Sequence, residues 1–392
     1  MSLITRLQSK LLRVPKQYVL SNSLGGDAVM ARGRSWEIDA AHTVTLKRCS
    51  GFPDEFSELL GSYTVDPNRI YEVSEPRLAG KHCIGRLDGC VLLDTISGSQ
   101  ERLFKALSKL DLRTQLSFVG TAAGVYTPDA VPVETPLFHM VDSTTSYFAW
   151  IVEYLPKLWA YDQYVERTGI TPELLIKQDP PEWMVQSLSV LGYDRIRRFS
   201  GDPIRPETLA VSTHYYHNLE DMYNFPVPSA GYNYTPNPRG YQWIRDNIDQ
   251  RVDDSSGYNR VYISRADASR RTVVNENEVV DTLESLGFKS VQMAQLSFRD
   301  QVRLMRECEI LVGVHGAGLA NMLFARNPTV IELVPEAYRR AHFACLARSL
   351  GFRYQNMTVV SLDDHPRQKY RSVKVDTDRM AETIRRVADR GR

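Results

Sequence analysis

Beyond about residue 130 the spacing of apolar positions switches repeatedly between a strand period and a helix period, which predicts alternating β and α units. Apolar runs of strand length occupy residues 136–141, 174–177, 195–199, 209–212, 260–265, 310–314 and 329–334. Between them, helical spacing runs around Trp150, over 182–191 ahead of Gly192, and from Asn275 to Gly287 with Val279, Val280, Leu283 and Leu286 on one face. Ser297 and Asp300 read as a capping box opening another helix, with Phe298, Val302 and Met305 inward. A last helix is expected over 378–392. Residues 225–240, rich in Pro, Tyr, Asn and Gly, carry no period and predict a long loop. Residues 1–130 offer only short strand-like runs, such as 89–93 and 117–119.

A chain of 392 residues exceeds what one hydrophobic core usually holds. The expected organisation is an irregular N-terminal extension (1–130), a first Rossmann-like domain (131–250), a second (251–375), and a C-terminal helix (376–392) returning to brace the first.

The densest chemistry lies where the strand 310–314 runs into His315-Gly316-Ala317-Gly318-Leu319-Ala320-Asn321. Strand, glycine turn and helix start bring unpaired amides and the positive end of a helix dipole to one place, and glycines let a ligand approach the backbone. The next strand carries Glu332, which either receives a ribose diol or pairs with an arginine beneath the sheet. Upstream, the strand at 260 delivers Arg265, Arg270 and Arg271 into a loop, and guanidinium suits bidentate binding of phosphate oxygens.

In order, Tyr262-Ile263-Ser264-Arg265, Asn275-Glu276, Leu296-Ser297, Gln301, His315 to Leu319, Asn321, Val330 to Leu333 and Pro335 resemble the family 61 glycosyltransferases. The resemblance is close over residues 255–360. It implies an inverting enzyme of GT-B fold, with a nucleotide-sugar donor, expected to be UDP-linked, held by Arg265, His315, Gly316, Ala317, Gly318, Leu319, Asn321 and Glu332. Residues 146–158 are similar to a helix of bacterial polysaccharide members, with Tyr147 and Trp150 in matching positions, but Ala149 stands where those members have histidine. If that histidine is the general base, a substitute is needed. Helical spacing places Glu153 one turn beyond Ala149, and His139 and Asp142 precede the helix. Glu153 is the expected base, with Asp142 and His139 as further candidates, although Asp142 reads first as a helix cap and His139 first as a core histidine. Tyr147, Trp150 and His214 are expected at the acceptor, a glycan or lipid-linked saccharide.

Composition sharpens the picture in a few places. A net charge of +1 and the lack of a basic stripe interleaved with aromatics argue against nucleic acid. Five scattered cysteines, Cys49, Cys83, Cys90, Cys308 and Cys345, suggest reduced thiols and a cytoplasmic setting. Residues 1–17 form an amphipathic basic stretch that either packs or rests on an anionic membrane. Asp376-Thr377-Asp378 mimics a metal-binding spacing but opens a helix, and His214 with His217 lacks a third ligand, so neither a metal nor a cofactor is expected. The alternatives are a catalytically weak sugar-nucleotide binding subunit and, more distantly, a nicotinamide-dependent oxidoreductase. The latter's G-x-G-x-x-G order is not the one found.

Overall fold

The computed structural model describes residues 23–24, 33–46, 61–65, 67–88, 90–96, 129–141, 146–213, 216–218, 234–236, 238–253 and 258–389. They form a mixed α/β structure built on two six-stranded sheets that carry the helices, with a third sheet packed alongside.

The first sheet contains β1 (Arg34–Asp39), β2 (Asn68–Ser74), β3 (Leu137–His139), β4 (Glu173–Lys177), β5 (Ile196–Phe199) and β6 (Thr208–Ser212). Its order is β5-β4-β3-β6-β2-β1, parallel from β5 to β6 and antiparallel beyond. Strands β1 and β2 come from the stretch read as an irregular extension, so the first sheet begins well before residue 131. Their long-range pairing leaves no local signature in sequence. One face, with Phe138, Leu174, Ile176 and Ala210, lies under α1 (Lys157–Thr168), α2 (Glu182–Val190) and α3 (Pro238–Arg251). The other face, with Leu137, Leu175, Leu209 and Val211, packs on Leu78, Cys83 and Leu92 of the third sheet rather than on helices. Helix α3 begins inside the stretch expected to be a loop. Tyr241, Ile244 and Ile248 form its buried stripe.

The second sheet contains β7 (Arg260–Ile263), β8 (Lys289–Val291), β9 (Ile310–Val314), β10 (Thr329–Pro335), β11 (Arg353–Ser361) and β12 (Val373–Lys374). Its order is β8-β7-β9-β10-β11-β12, parallel except for β12. Buried on both sides, β9 reads as an unbroken apolar run and β10 as one interrupted by Glu332, as parallel strands do. Leu311 and Val330 face one layer, with α5 (Phe298–Arg306) and α6 (His342–Ser349); Val312 and Ile331 face the other, with α4 (Glu276–Ser285) and α7 (Thr377–Asp389). Met380 and Ile384 of α7 meet Val279 and Leu283 of α4. The C-terminal helix therefore braces the second sheet, not the first as expected: its apolar stripe has a complementary partner beside it on α4.

One core runs through both halves, from Phe138 and Trp150 to Phe298 and Phe343. Cys83, Cys308 and Cys345 are buried and form no disulfide. No helix among the described residues is long and apolar enough to cross a membrane; residues 1–17 lie outside the described residues.

At the start of α7 the Asp376 carboxylate accepts the Arg379 amide at 3.0 Å, the geometry of a helix cap. Asp376→Ala is expected to cost about 1 kcal/mol in a urea titration, whereas Asp376→Asn, which caps as well, should leave the midpoint almost unmoved.

Candidate functional site

From β7 the chain crosses to β8 on one side, then returns to β9 on the other. The loops at the carboxyl ends of β7 and β9 therefore diverge, and at such switch points open α/β sheets bind ligands. A cavity of ≈ 200 Å³ opens there. The end of β7 lines it with Ile263, Ser264, Arg265 and Asp267; α5 and the turn before it add Met293, Ala294 and Gln301; the glycine turn adds Gly318 and Asn321; the first half reaches in with Tyr147 and Trp183.

Two arginines brace the turn after β9. Arg271 Nε donates to the His315 carbonyl at 2.7 Å, and its guanidinium lies 5.1 Å from the Tyr338 ring centre. Arg265 is wrapped by its own loop, donating to the carbonyls of Arg270 at 2.5 Å and Arg271 at 3.3 Å. A Cβ on Gly316 would lie 2.0 Å from Arg265 Nη1, so glycine is required there to seat the guanidinium. Burial lowers the pKa of both arginines. For Arg271 it falls to about 10, with the charge of Arg265 as the second cause. Two partly desolvated cations that repel one another make an anion-seeking site.

The turn bearing Arg265 is itself pinned. Glu276 Oε1 accepts from Ser264 Oγ at 2.5 Å and the Arg265 amide at 3.3 Å, while Oε2 accepts from Tyr262 at 3.0 Å. Across the cavity, Tyr147 Oη lies 2.7 Å from Asn321 Oδ1 and 2.9 Å from Gln301 Oε1. The amide nitrogens of both partners are directed to backbone carbonyls of Gly318, Met293 and Leu296, which fixes their orientation. A hydroxyl owns one proton, so at any moment one of these two oxygens receives nothing from Tyr147. Burial raises the Tyr147 pKa and keeps that proton in place.

Residues 147–331 match the family model described as Glycosyltransferase 61. This segment is of the glycosyltransferase 61 family. A beta-1,2-xylosyltransferase of Arabidopsis thaliana is 27% identical over 135 residues, 29% of this chain and 25% of the relative. EGF domain-specific O-linked N-acetylglucosamine transferases of Bos taurus and Drosophila melanogaster are 34% identical over 101 residues and 36% over 102, each 24% of this chain, and 19% and 18% of the relatives. The matches thus span a quarter or less of those proteins' length.

Within the glycosyltransferase 61 segment, the cavity gathers Arg265, Gly318, Asn321 and Tyr147 of the residues anticipated from sequence. After extended Gly316 the turn continues as a 3₁₀ helix, Ala317–Phe324, and the Leu319 amide is spent on the Gly316 carbonyl at 3.0 Å. Leu319 therefore contributes packing, with its side chain 1% exposed, while Ala317 is exposed. Glu332, expected at a ribose, is fully buried within β10: Oε1 meets His315 Nδ1 and Oε2 accepts from Tyr354 at 2.6 Å. With both oxygens engaged it orients His315 rather than a sugar.

The expected base does not line the cavity either. Residues Trp150–Tyr154 form a π-helical turn, closed by the Leu155 amide donating to the Trp150 carbonyl at 2.8 Å. Pro156 has no N–H for the Val152 carbonyl, and the Tyr241 hydroxyl donates to that carbonyl instead at 3.1 Å. The wider turn breaks the spacing that put Glu153 beneath Ala149, and Glu153 is 3% exposed. Trp150, expected at the acceptor, is a core residue whose indole donates to Ser187 Oγ at 2.9 Å. His139 is fully buried, 3.3 Å from the Cys83 carbonyl; burial, then the charge of Lys157, pushes its pKa to about 3, so it stays a neutral core histidine. Asp142 and His214 lie outside the described residues. Asp267 and Trp183 escaped the sequence reading, although a carboxylate two residues beyond Arg265 in a loop after a strand is a recognisable signal.

Gly316→Ala is expected to displace the Arg265 guanidinium and weaken inorganic pyrophosphate binding about tenfold by calorimetry, roughly 1.4 kcal/mol. Unchanged affinity would mean that this guanidinium does not face the anion.

Proposed function

We propose that this protein is an inverting glycosyltransferase. It moves a sugar from a nucleoside diphosphate donor, UDP-linked in this reading, to a hydroxyl of a glycan or lipid-linked saccharide. The observation that carries the proposal is the Arg265 and Arg271 pair at the switch point of the second sheet, beside a cavity lined with hydrogen-bonding groups. The relatives' names, a xylosyltransferase and N-acetylglucosamine transferases, support a sugar donor. Two α/β halves meeting at this cavity accord with a GT-B arrangement.

In this reading the donor diphosphate lies against the glycine turn. Arg265 and the first amides of the 3₁₀ helix neutralise charge on the leaving group, each well-aimed donor being worth roughly three kcal/mol in the transition state. Asp376 accepts the Arg379 amide as a helix cap, which supports the metal-independent transfer we propose. The weak-binding alternative keeps one observation in its favour: buried Ala149 offers no proton acceptor where the resemblance to bacterial family members implies a histidine.

UDP is expected to raise the melting temperature in the presence of chelator, because a ligand that binds only the native state stabilises it. Arg265→Ala should weaken UDP about tenfold or more by calorimetry. Equal affinity in parent and variant would remove the donor-site assignment, and stabilisation by NAD instead of UDP would replace the reading altogether.

A further inference from the structure

Transfer to a hydroxyl requires a group that takes the hydroxyl proton; of the residues expected in that role, Glu153 and His139 are buried and do not line the cavity, and Asp142 lies outside the described residues. Glu153 does not line it, Glu332 has both oxygens engaged, and Glu276 holds Ser264, Tyr262 and the Arg265 amide. Among the described residues that line the cavity, Asp267 is the one carboxylate.

Its setting suits the task. Asp267 lies in a turn closed by the Ala268 amide donating to the Arg265 carbonyl at 2.9 Å, and the same turn is anchored to Glu276. Its side chain is exposed, so an acceptor entering from solvent meets it directly. Arg265 and Asp267 feel one another's charge, yet the Arg265 guanidinium is turned toward the carbonyls of Arg270 and Arg271. Cation and carboxylate thus border one cavity without closing on each other. In-line displacement needs that separation, with leaving phosphate on one side of the anomeric carbon and attacking oxygen on the other.

We propose that Asp267 is the general base of the transfer, a role that rests on the glycosyltransferase reading above. Its carboxylate takes the proton of the acceptor hydroxyl as the oxygen bonds to the anomeric carbon. The bond from that carbon to the phosphate oxygen breaks, and its electron pair leaves with the nucleoside diphosphate. The proton remains on Asp267, and the configuration is inverted. With water as acceptor the same step is donor hydrolysis.

The test uses the full chain with UDP-xylose and UDP-N-acetylglucosamine as probes, scoring hydrolysis and, separately, UDP affinity by calorimetry. Asp267→Asn is expected to lower turnover a hundredfold or more with UDP affinity within threefold of the parent, and to remove the acidic limb of the pH–rate profile. Asp267→Glu should recover part of the rate. Turnover by Asp267→Asn within threefold of the parent overturns the role and leaves the functional reading standing. So does a fall in UDP affinity that matches the fall in rate, since Asp267 would then be a donor-binding residue. A parent that binds no UDP and hydrolyses neither probe overturns the functional reading itself, and this role with it.

Discussion

The second half of the molecule is arranged around two guanidiniums held close together at the carboxyl ends of parallel strands. Desolvating a cation costs several kcal/mol even after relaxation, and two like charges add repulsion. The fold offsets this with backbone carbonyls: Arg265 takes those of Arg270 and Arg271, and Arg271 takes those of His315 and Lys369. Tyr338 adds a ring face to Arg271. Every one of these partners is neutral, and the carboxylates of Asp267 and Glu276 act on the Arg265 guanidinium, and that of Glu332 on Arg271, only through the charge they carry. Gly316 follows from the same constraint, because any side chain there would occupy the space of the Arg265 guanidinium. So does the buried Glu332, whose contact with His315 fixes the residue whose carbonyl Arg271 uses.

That centre is tied to the first half by more than proximity. Tyr147, at the first turn after β3, places its hydroxyl between Gln301 and Asn321, while Trp183 meets its ring edge-on at 5.1 Å between centroids. Behind them a single apolar core continues from the helices of the first sheet into those of the second. Tyr147 therefore reports on both halves at once. With one proton facing two amide oxygens, the cavity wall retains an acceptor that a ligand hydroxyl or N–H can use.

The legible parts of the sequence were those with a local cause. Strands β7, β9 and β10 announce themselves as apolar runs because both faces are covered, and the Ser297 cap and the Gly192 and Gly287 stops act within a few residues. The glycine turn and Arg265 were legible because the chemistry of a strand end is local too. What failed depended on partners far along the chain. Strand β2 joins the first sheet only through pairing with β6 across more than a hundred residues, and β1 only through β2, while helix periodicity cannot say which neighbour α7 will meet. Glu332 looked available to a ligand because nothing near it in sequence reveals Tyr354 on the adjacent strand.

The case of Glu153 carries the most consequence for mechanism. Its selection assumed 3.6 residues per turn through residues 146–157, but Pro156 removes an amide from the ladder and the backbone widens into a π turn, with Tyr241 of α3 filling the vacated bond. The helix is thereby committed to packing: Trp150, Ile151, Val152 and Leu155 all face the core, and Ala149 is buried with them. A polar acceptor at residue 149 would have to be desolvated there without a described partner. A carboxylate on the turn after β7 avoids that cost, because the turn is open to solvent and its backbone is already fixed by Glu276. In the proposed reading, holding the phosphate-facing cation and the proton acceptor on one short turn also makes their separation a property of local backbone geometry. It then does not depend on how closely the two halves approach each other.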